Sequence, residues 1–299
     1  WTIADGTGTD LTVDGTVVNS GTMTMTGTAV YNASSIYQHA QNAGTIPTAS
    51  WNATSTCNVT GVTNVMPAGI GQNFGHLTWN CAAQSGDVYF NTNMAIQGNF
   101  TVADVNNQQI GLTNNSTGRT FSIGGDCIIQ ANSDVRAAIS SGAAAITVSG
   151  NYSQTGGVFY VTDGTTATSS LVISGDFTQS AGDFRSSDNT GACTTTVGGN
   201  LNLSGTGLIR PVSDDGAVTF SVTGNVVITG GEFRLKEDNG NATFNVTGNY
   251  TQSAGTFTFR NTGTGTANVN ISGNFSLSGT QAFNMTSSGV ATLDINGNY

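Results

Sequence analysis

The chain reads Phe244-Asn-Val246-Thr-Gly248-Asn249-Tyr250-Thr-Gln252-Ser253-Ala254-Gly255-Thr-Phe257. After a polar turn the pattern returns as Val269-Asn-Ile271-Ser-Gly273-Asn274-Phe275. The recurring unit is apolar, any residue, Gly, Asn or Asp, apolar. Working outward, its glycine recurs at Gly98, Gly125, Gly150, Gly175, Gly199, Gly224, Gly248, Gly273 and Gly297. Successive glycines are about 25 residues apart, and self-similarity at a fixed short period is the mark of a repeat architecture.

Each period divides into three strand-like pieces. The first follows the Gly-Asn turn, as at Tyr250-Thr-Gln252. The second carries Val135, Phe159, Phe184, Ile209, Phe233, Phe257 or Phe283 nine or ten positions after the glycine. The third alternates into the next unit, as Phe244-Asn-Val246, and alternation with period two marks a strand with one buried face. The expected fold is therefore all-β: a parallel, three-sided β-solenoid (β-helix) with about 25 residues per coil. Coils of this kind are expected to be right-handed, as parallel crossovers are. A propeller blade needs four strands and about 40 residues or more, which this period cannot supply. The turn glycine is expected to supply positive φ. The residues after it, Asn99, Asp126, Asn151, Asp176, Asn200, Asn225, Asn249, Asn274 and Asn298, are expected to form a hydrogen-bonded ladder along the axis.

Composition excludes several functions. Among 299 residues there are 41 Gly and 3 Pro; 8% are charged, and the net charge is −10. So acidic a chain is unsuited to neutralising nucleic-acid phosphates, so no nucleic-acid partner is expected. No apolar run reaches the roughly 20 residues of a membrane helix, so no membrane-spanning segment is expected.

The period weakens towards the N-terminus, which suggests three regions: first coils over 1–30, an irregular Cys- and Trp-containing cap or insertion over 31–90, and regular repeats over 91–299. The middle region holds Tyr31, Tyr37, His39, Trp51, His76 and Trp79. These residues either pack a cap that blocks edge pairing or form a platform for stacking glycans. Cys57 and Cys81 are one coil period apart and are candidates for a disulfide. Cys127 and Cys193 read as core thiols.

Arg136, Arg185, Arg210 and Arg234 each follow an inward residue of the second strand, so they form an outward basic strip. The strip is either a shallow site for acidic polysaccharide or a solvated face of alternating charge, with Asp183 and Glu232 on the same side. The net charge favours the second reading. Asp163, Asp188, Asp214, Asp215, Glu237 and Asp238 fall in polar turns and do not compose the paired carboxylates of a glycosidase. Asp5, Asp10 and Asp14 offer only a weak calcium candidate with no established loop spacing, and no cofactor is expected. An ice-binding face would need a uniform Thr array. The outward pairs Thr219/Ser221, Thr243/Asn245 and Asn268/Asn270 do not provide one.

The middle region also carries a family resemblance. Tyr37-Gln-His39, Gly44-Thr-Ile-Pro47-Thr-Ala-Ser-Trp51, Ser55-Thr-Cys57-Asn-Val-Thr-Gly61, Gly71-Gln-Asn-Phe74-Gly75 and Leu77-Thr-Trp79-Asn-Cys81 resemble a module of large secreted Bacteroidota proteins. In those proteins the module precedes Gly-Asn-rich β-helix repeats. The resemblance implies export across a bacterial outer membrane by the type IX system and an adhesin-like place at the cell surface. It also implies a longer mature protein with a C-terminal sorting domain. The function expected is a noncatalytic surface stalk, with glycans or other cell-surface molecules as partners. The alternatives are a filament or sheath subunit that self-associates end to end, or a polysaccharide-active β-helix enzyme.

Overall fold

The computed structural model describes residues 1–166, 168–260, 263–285 and 290–299. All its regular elements are strands, and every pairing is parallel with a strand of a neighbouring coil. The result is a β-solenoid of about 12 turns.

Three faces follow from the three pieces of each repeat. The first face runs from Thr16–Asn19 to Phe275–Leu277. The second runs from Val88–Tyr89 to Ala282–Asn284. The third is a ten-stranded sheet from Asn73–Phe74 to Ala291–Ile295. In the most regular coils one strand serves two faces. Tyr152–Thr162 pairs through Tyr152–Gln154 on the first face and through Val158–Thr162 on the second. It turns the corner at Gly157, whose φ is +62°. Gly182, Gly231 and Gly255 repeat that backbone at φ +84°, +70° and +71°. An L side chain is strained there, so this second glycine column supplies the bend.

The glycines of the Gly-Asn unit work differently, which corrects the sequence expectation. None of them lies at positive φ. They are glycines because successive coils touch at this corner. A Cβ on Gly175 would meet the Gly150 carbonyl at 2.6 Å and also the Asn151 amide oxygen. The same overlap recurs at Gly199, Gly224 and Gly248.

The interior is a set of apolar columns. One holds Cys127, Tyr152, Phe177, Leu201, Val226, Tyr250 and Phe275, each in register with the next. Another stacks Phe233, Phe257 and Phe283 with ring centroids 5.0 and 5.1 Å apart.

Residues 31–90 depart from the expected cap. Ile36–His39, Thr56–Val59 and His76–Asn80 are consecutive strands of the first face and lead directly into Phe100–Asp104. The coil simply shortens: in the register Tyr37↔Cys57↔Leu77 a turn takes only about 20 residues, still within the range of known solenoid repeats. The shorter period is written in the sequence, where Tyr31-Asn-Ala-Ser-Ser35 and Trp51-Asn-Ala-Thr-Ser55 repeat at that spacing and not at about 25 residues.

Candidate functional surface

The corner after the first glycine column is a continuous ladder. Asn99 Oδ1 accepts the backbone N–H of Asp126 at 2.9 Å, and Asp126 Oδ1 accepts that of Asn151 at 2.7 Å. The pattern continues through Asn151, Asp176, Asn200, Asn225, Asn249 and Asn274 to the N–H of Asn298 at 3.0 Å. In every rung a side-chain oxygen accepts a backbone N–H, a role Asp and Asn share, which explains why they interchange in this column. His76 heads the ladder, because its Nδ1 accepts the Asn99 N–H at 2.8 Å. The sequence holds a trace of this role. Phe74-Gly75-His76-Leu77 is the Gly-Asn unit one residue shorter before the glycine and with His in the Asn place, and Leu77 pairs with Phe100.

The arginine strip lies on the outer side of the second face, and carboxylates occupy it. Arg136 bonds Asp134 at 2.9 Å and Asp163 at 2.7 Å. Arg185 bonds Asp183 at 2.8 Å and also Asp188. Arg210 reaches Asp183 at 3.1 Å and Glu237 at 3.1 Å. Arg234 bonds Glu232 at 2.7 Å and also Glu237. Tyr160 fills the coil between Arg136 and Arg185, with guanidinium carbons 4.6 and 4.8 Å from its ring centre. Six carboxylates against four guanidiniums leave the strip with two excess negative charges. It is therefore a poor receptor for an acidic polymer.

The electrostatics of the strip follow from its partial burial. The Asp134 hydrogen bonds hold the Arg136 guanidinium well above its ordinary range. At Arg185 burial opposes the charge, and the hydrogen bonds and charge of Asp183 outweigh it. Burial raises the Asp188 carboxyl, with Arg185 opposing. In the column Asp163, Asp188, Ser213, Glu237 the third place lacks an acid, so Arg210 finds its partners in the coils on either side.

The aromatic platform is a correction. Tyr31, Tyr37, His39 and Trp79 have no exposed surface, and Trp51 is 7% exposed. They stand on inward positions of the short coils. The rings of Tyr31 and Trp51 stack at 4.3 Å inside the solenoid, and Trp51 meets Phe74 edge-on at 5.0 Å. Such rings cannot stack on a glycan. His76 alone of the six is partly exposed.

The disulfide is also a correction. All four cysteines are free and buried. Cys57 lies beside Tyr37 and Leu77, and Cys81 falls beyond Leu77 because the local coil is shorter than the spacing of the two cysteines. The Cys81 thiol instead donates to the Val59 carbonyl at 3.4 Å. Burial pushes the Cys81, Cys127 and Cys193 thiols up to about 12, away from reactive thiolate chemistry.

Asp10 holds the N-terminal turn together. Its carboxylate accepts N–H bonds from Gly6 at 2.8 Å and Thr28 at 2.7 Å, and the Thr28 bond lowers its pKa. Asp14 accepts from Asn32 Nδ2 at 2.6 Å. Asp5, Asp10 and Asp14 are not brought together as a ligand set among the described residues. The acids that do converge are Asp214, Asp215 and Asp238, with one oxygen of each within 4.8 Å of the others, in stacked turns at the surface. Beside them Lys236, the chain's one lysine, is fully buried, and its Nζ has no hydrogen-bond partner among the described residues. Burial lowers its pKa, reinforced by Arg260 and opposed by Asp238 and Asp215. An ammonium at this place disfavours a divalent cation on the neighbouring acids.

No family profile, curated protein or solved structure matches the chain. Among the described residues no helix is long and apolar enough to cross a membrane.

Proposed function

We propose that the chain is a noncatalytic, extracellular stalk segment of an adhesin-like surface protein. The observation that carries this reading is the unbroken axial continuity of the solenoid. The Asn/Asp corner ladder spans every coil from His76 to Asn298, and the strand ladders run beside it. About 12 turns at a strand spacing of about 4.8 Å make a rod roughly 55–60 Å long. Such a rod holds whatever is attached to it away from a surface, and its repeated exterior converts weak contacts into avidity.

The commitment of the second-face acids supports a noncatalytic role. Asp134, Asp163, Asp183, Asp188, Glu232 and Glu237 are ion-paired to arginines, so they are not poised as a general acid and base. The segments from Tyr37 to Cys81 that resemble Bacteroidota surface proteins support export by the type IX route. Neutral glycans or other cell-surface molecules are the partners that fit a rod without a basic strip.

The test is to incubate the purified chain with a panel of polysaccharides and with whole cells, followed by imaging of the native material. Binding without release of reducing ends, and isolated projections on cells, are the expected results. Polysaccharide cleavage that disappears on substituting Asp214 and Asp215 by Asn would overturn the reading in favour of an enzyme. Regular filaments with one subunit per repeat would instead establish a structural subunit.

A further inference from the structure

His39 is a fully buried imidazole at the junction of the first coils. Its Nε2 lies 2.7 Å from the Ala43 carbonyl, which can only accept, so Nε2 carries the proton. Nδ1 is then bare and takes the Tyr37 hydroxyl proton at 3.2 Å. The same hydroxyl oxygen accepts from Asn19 Nδ2 at 2.8 Å. This chain of bonds ties strand Thr16–Asn19 to strand Ile36–His39 and both to the following loop. In that loop Ala43 holds φ +56° and Gly44 φ +72°, a backbone that needs an anchor. Gln41, Gly44 and Thr45 of the loop form one wall of a shallow groove facing Gly21, Met23 and Met25.

Among the described residues no acidic side chain pairs with the imidazole. Val59 lies beside His39 on the next strand. The titratable groups packed around the network are Tyr31, Tyr37 and Cys57. Burial keeps all three neutral: it pushes the Tyr37 phenol up to about 12 and raises Tyr31 and the Cys57 thiol further. A proton added at Nδ1 would turn that nitrogen into a donor, so the Tyr37 hydroxyl would have to give up its bond to His39 and turn its own proton to the Thr45 carbonyl, a long 3.5 Å away. It would also place an unpaired charge in an apolar core.

We propose that His39 is an acid-sensitive latch: its protonation releases the loop at residues 40–46 and loosens the N-terminal coils, while the remaining solenoid stays closed. Burial lowers the imidazole pKa in the folded chain below its ordinary value of about 6.5. Below that ordinary value the opened form takes up a proton that the closed form refuses. The opening equilibrium then grows by up to about tenfold per pH unit until the folded value is reached. Above about 6.5 neither form is protonated, and His39 adds no pH dependence.

Hydrogen exchange on the full chain, corrected for intrinsic rates, tests this at pH 7.5 and 5.5. The expected result is a loss of protection of up to about tenfold over residues 36–46, with Tyr250–Thr258 unchanged. His39→Gln keeps a donor for Ala43 and an acceptor for Tyr37 but has no proton to gain, so its protection should not change with pH. Equal protection at both pH values in the wild type overturns the latch, and so does an equal acid response in His39→Gln. Should the variant fail to fold, titration of the wild-type imidazole by NMR decides the question. A value at or above about 6.5 overturns the proposal, and one below it upholds the proposal.

Discussion

Gln154, Gln179 and Gln252 are buried amides at the bend between the first and second faces. Each Nε2 donates to carbonyls of its own turn and of the next coil. For Gln252 these are Gly255 and Ala282, both at 3.1 Å. In two of the three, a tyrosine two residues earlier completes the amide. Tyr152 donates to Gln154 Oε1 at 3.0 Å and Tyr250 to Gln252 Oε1 at 2.9 Å. At the third, the corresponding residue is Phe177, and Gln179 Oε1 has no hydrogen-bond partner among the described residues. An unmade bond at a buried acceptor costs on the order of 1–3 kcal/mol, so Phe177→Tyr should stabilise the chain by about 1 kcal/mol. Chemical denaturation measures the gain. A loss of stability would show that the column is too tightly packed to take the hydroxyl.

At the scale of the element, the corner ladder depends on two residue types for separate reasons. Glycine removes a Cβ that would strike the coil before it, and Asn or Asp supplies an oxygen for the N–H of the coil after it. Only the oxygen is required. Asn249→Asp should therefore leave stability within about 0.5 kcal/mol, since Asn225 and Asn274 on either side are uncharged. Asn249→Ala removes the acceptor for the Asn274 N–H and should cost about 1 kcal/mol. Paired denaturation curves check the difference, and equal losses would mean that the amide nitrogen matters too. The arginine strip is a second axial device. Asp183 serves both Arg185 of its own coil and Arg210 of the next, so charge is shared between coils as well as within one.

At the scale of the molecule, contacts run almost wholly between neighbouring coils, so stability is close to a sum over coils and their interfaces. A fault in one coil should then divide the rod. Phe233 is fully buried and touches Phe220, Phe244 and Phe257. Phe233→Asp buries a charge with no partner in that cluster and should unfold the surrounding coils before those near Phe100. The expected signature is a thermal transition that splits into two. One unshifted transition would show that Phe233 does not carry the core.

The sequence by itself determined the repeat, the strand class and the parallel stacking. A period of about 25 residues with inward alternation has one compact solution, and each coil reports it independently. It also placed the nine corner residues and the four arginines on their columns, because a column is simply a position repeated. Tertiary structure decided what those positions do. The corner glycines answer to the approach of a neighbouring coil, not to φ, and no single repeat contains that neighbour. Asp163, Asp188 and Glu237 fold back from turns onto the arginines, so a strip that reads as basic is neutralised. Over positions 31–90 the coil shortens, which carries Trp51, Tyr31 and His39 inward and moves Cys81 off Cys57. Composition sets which side chains are available; the local length of the coil sets which of them face the core.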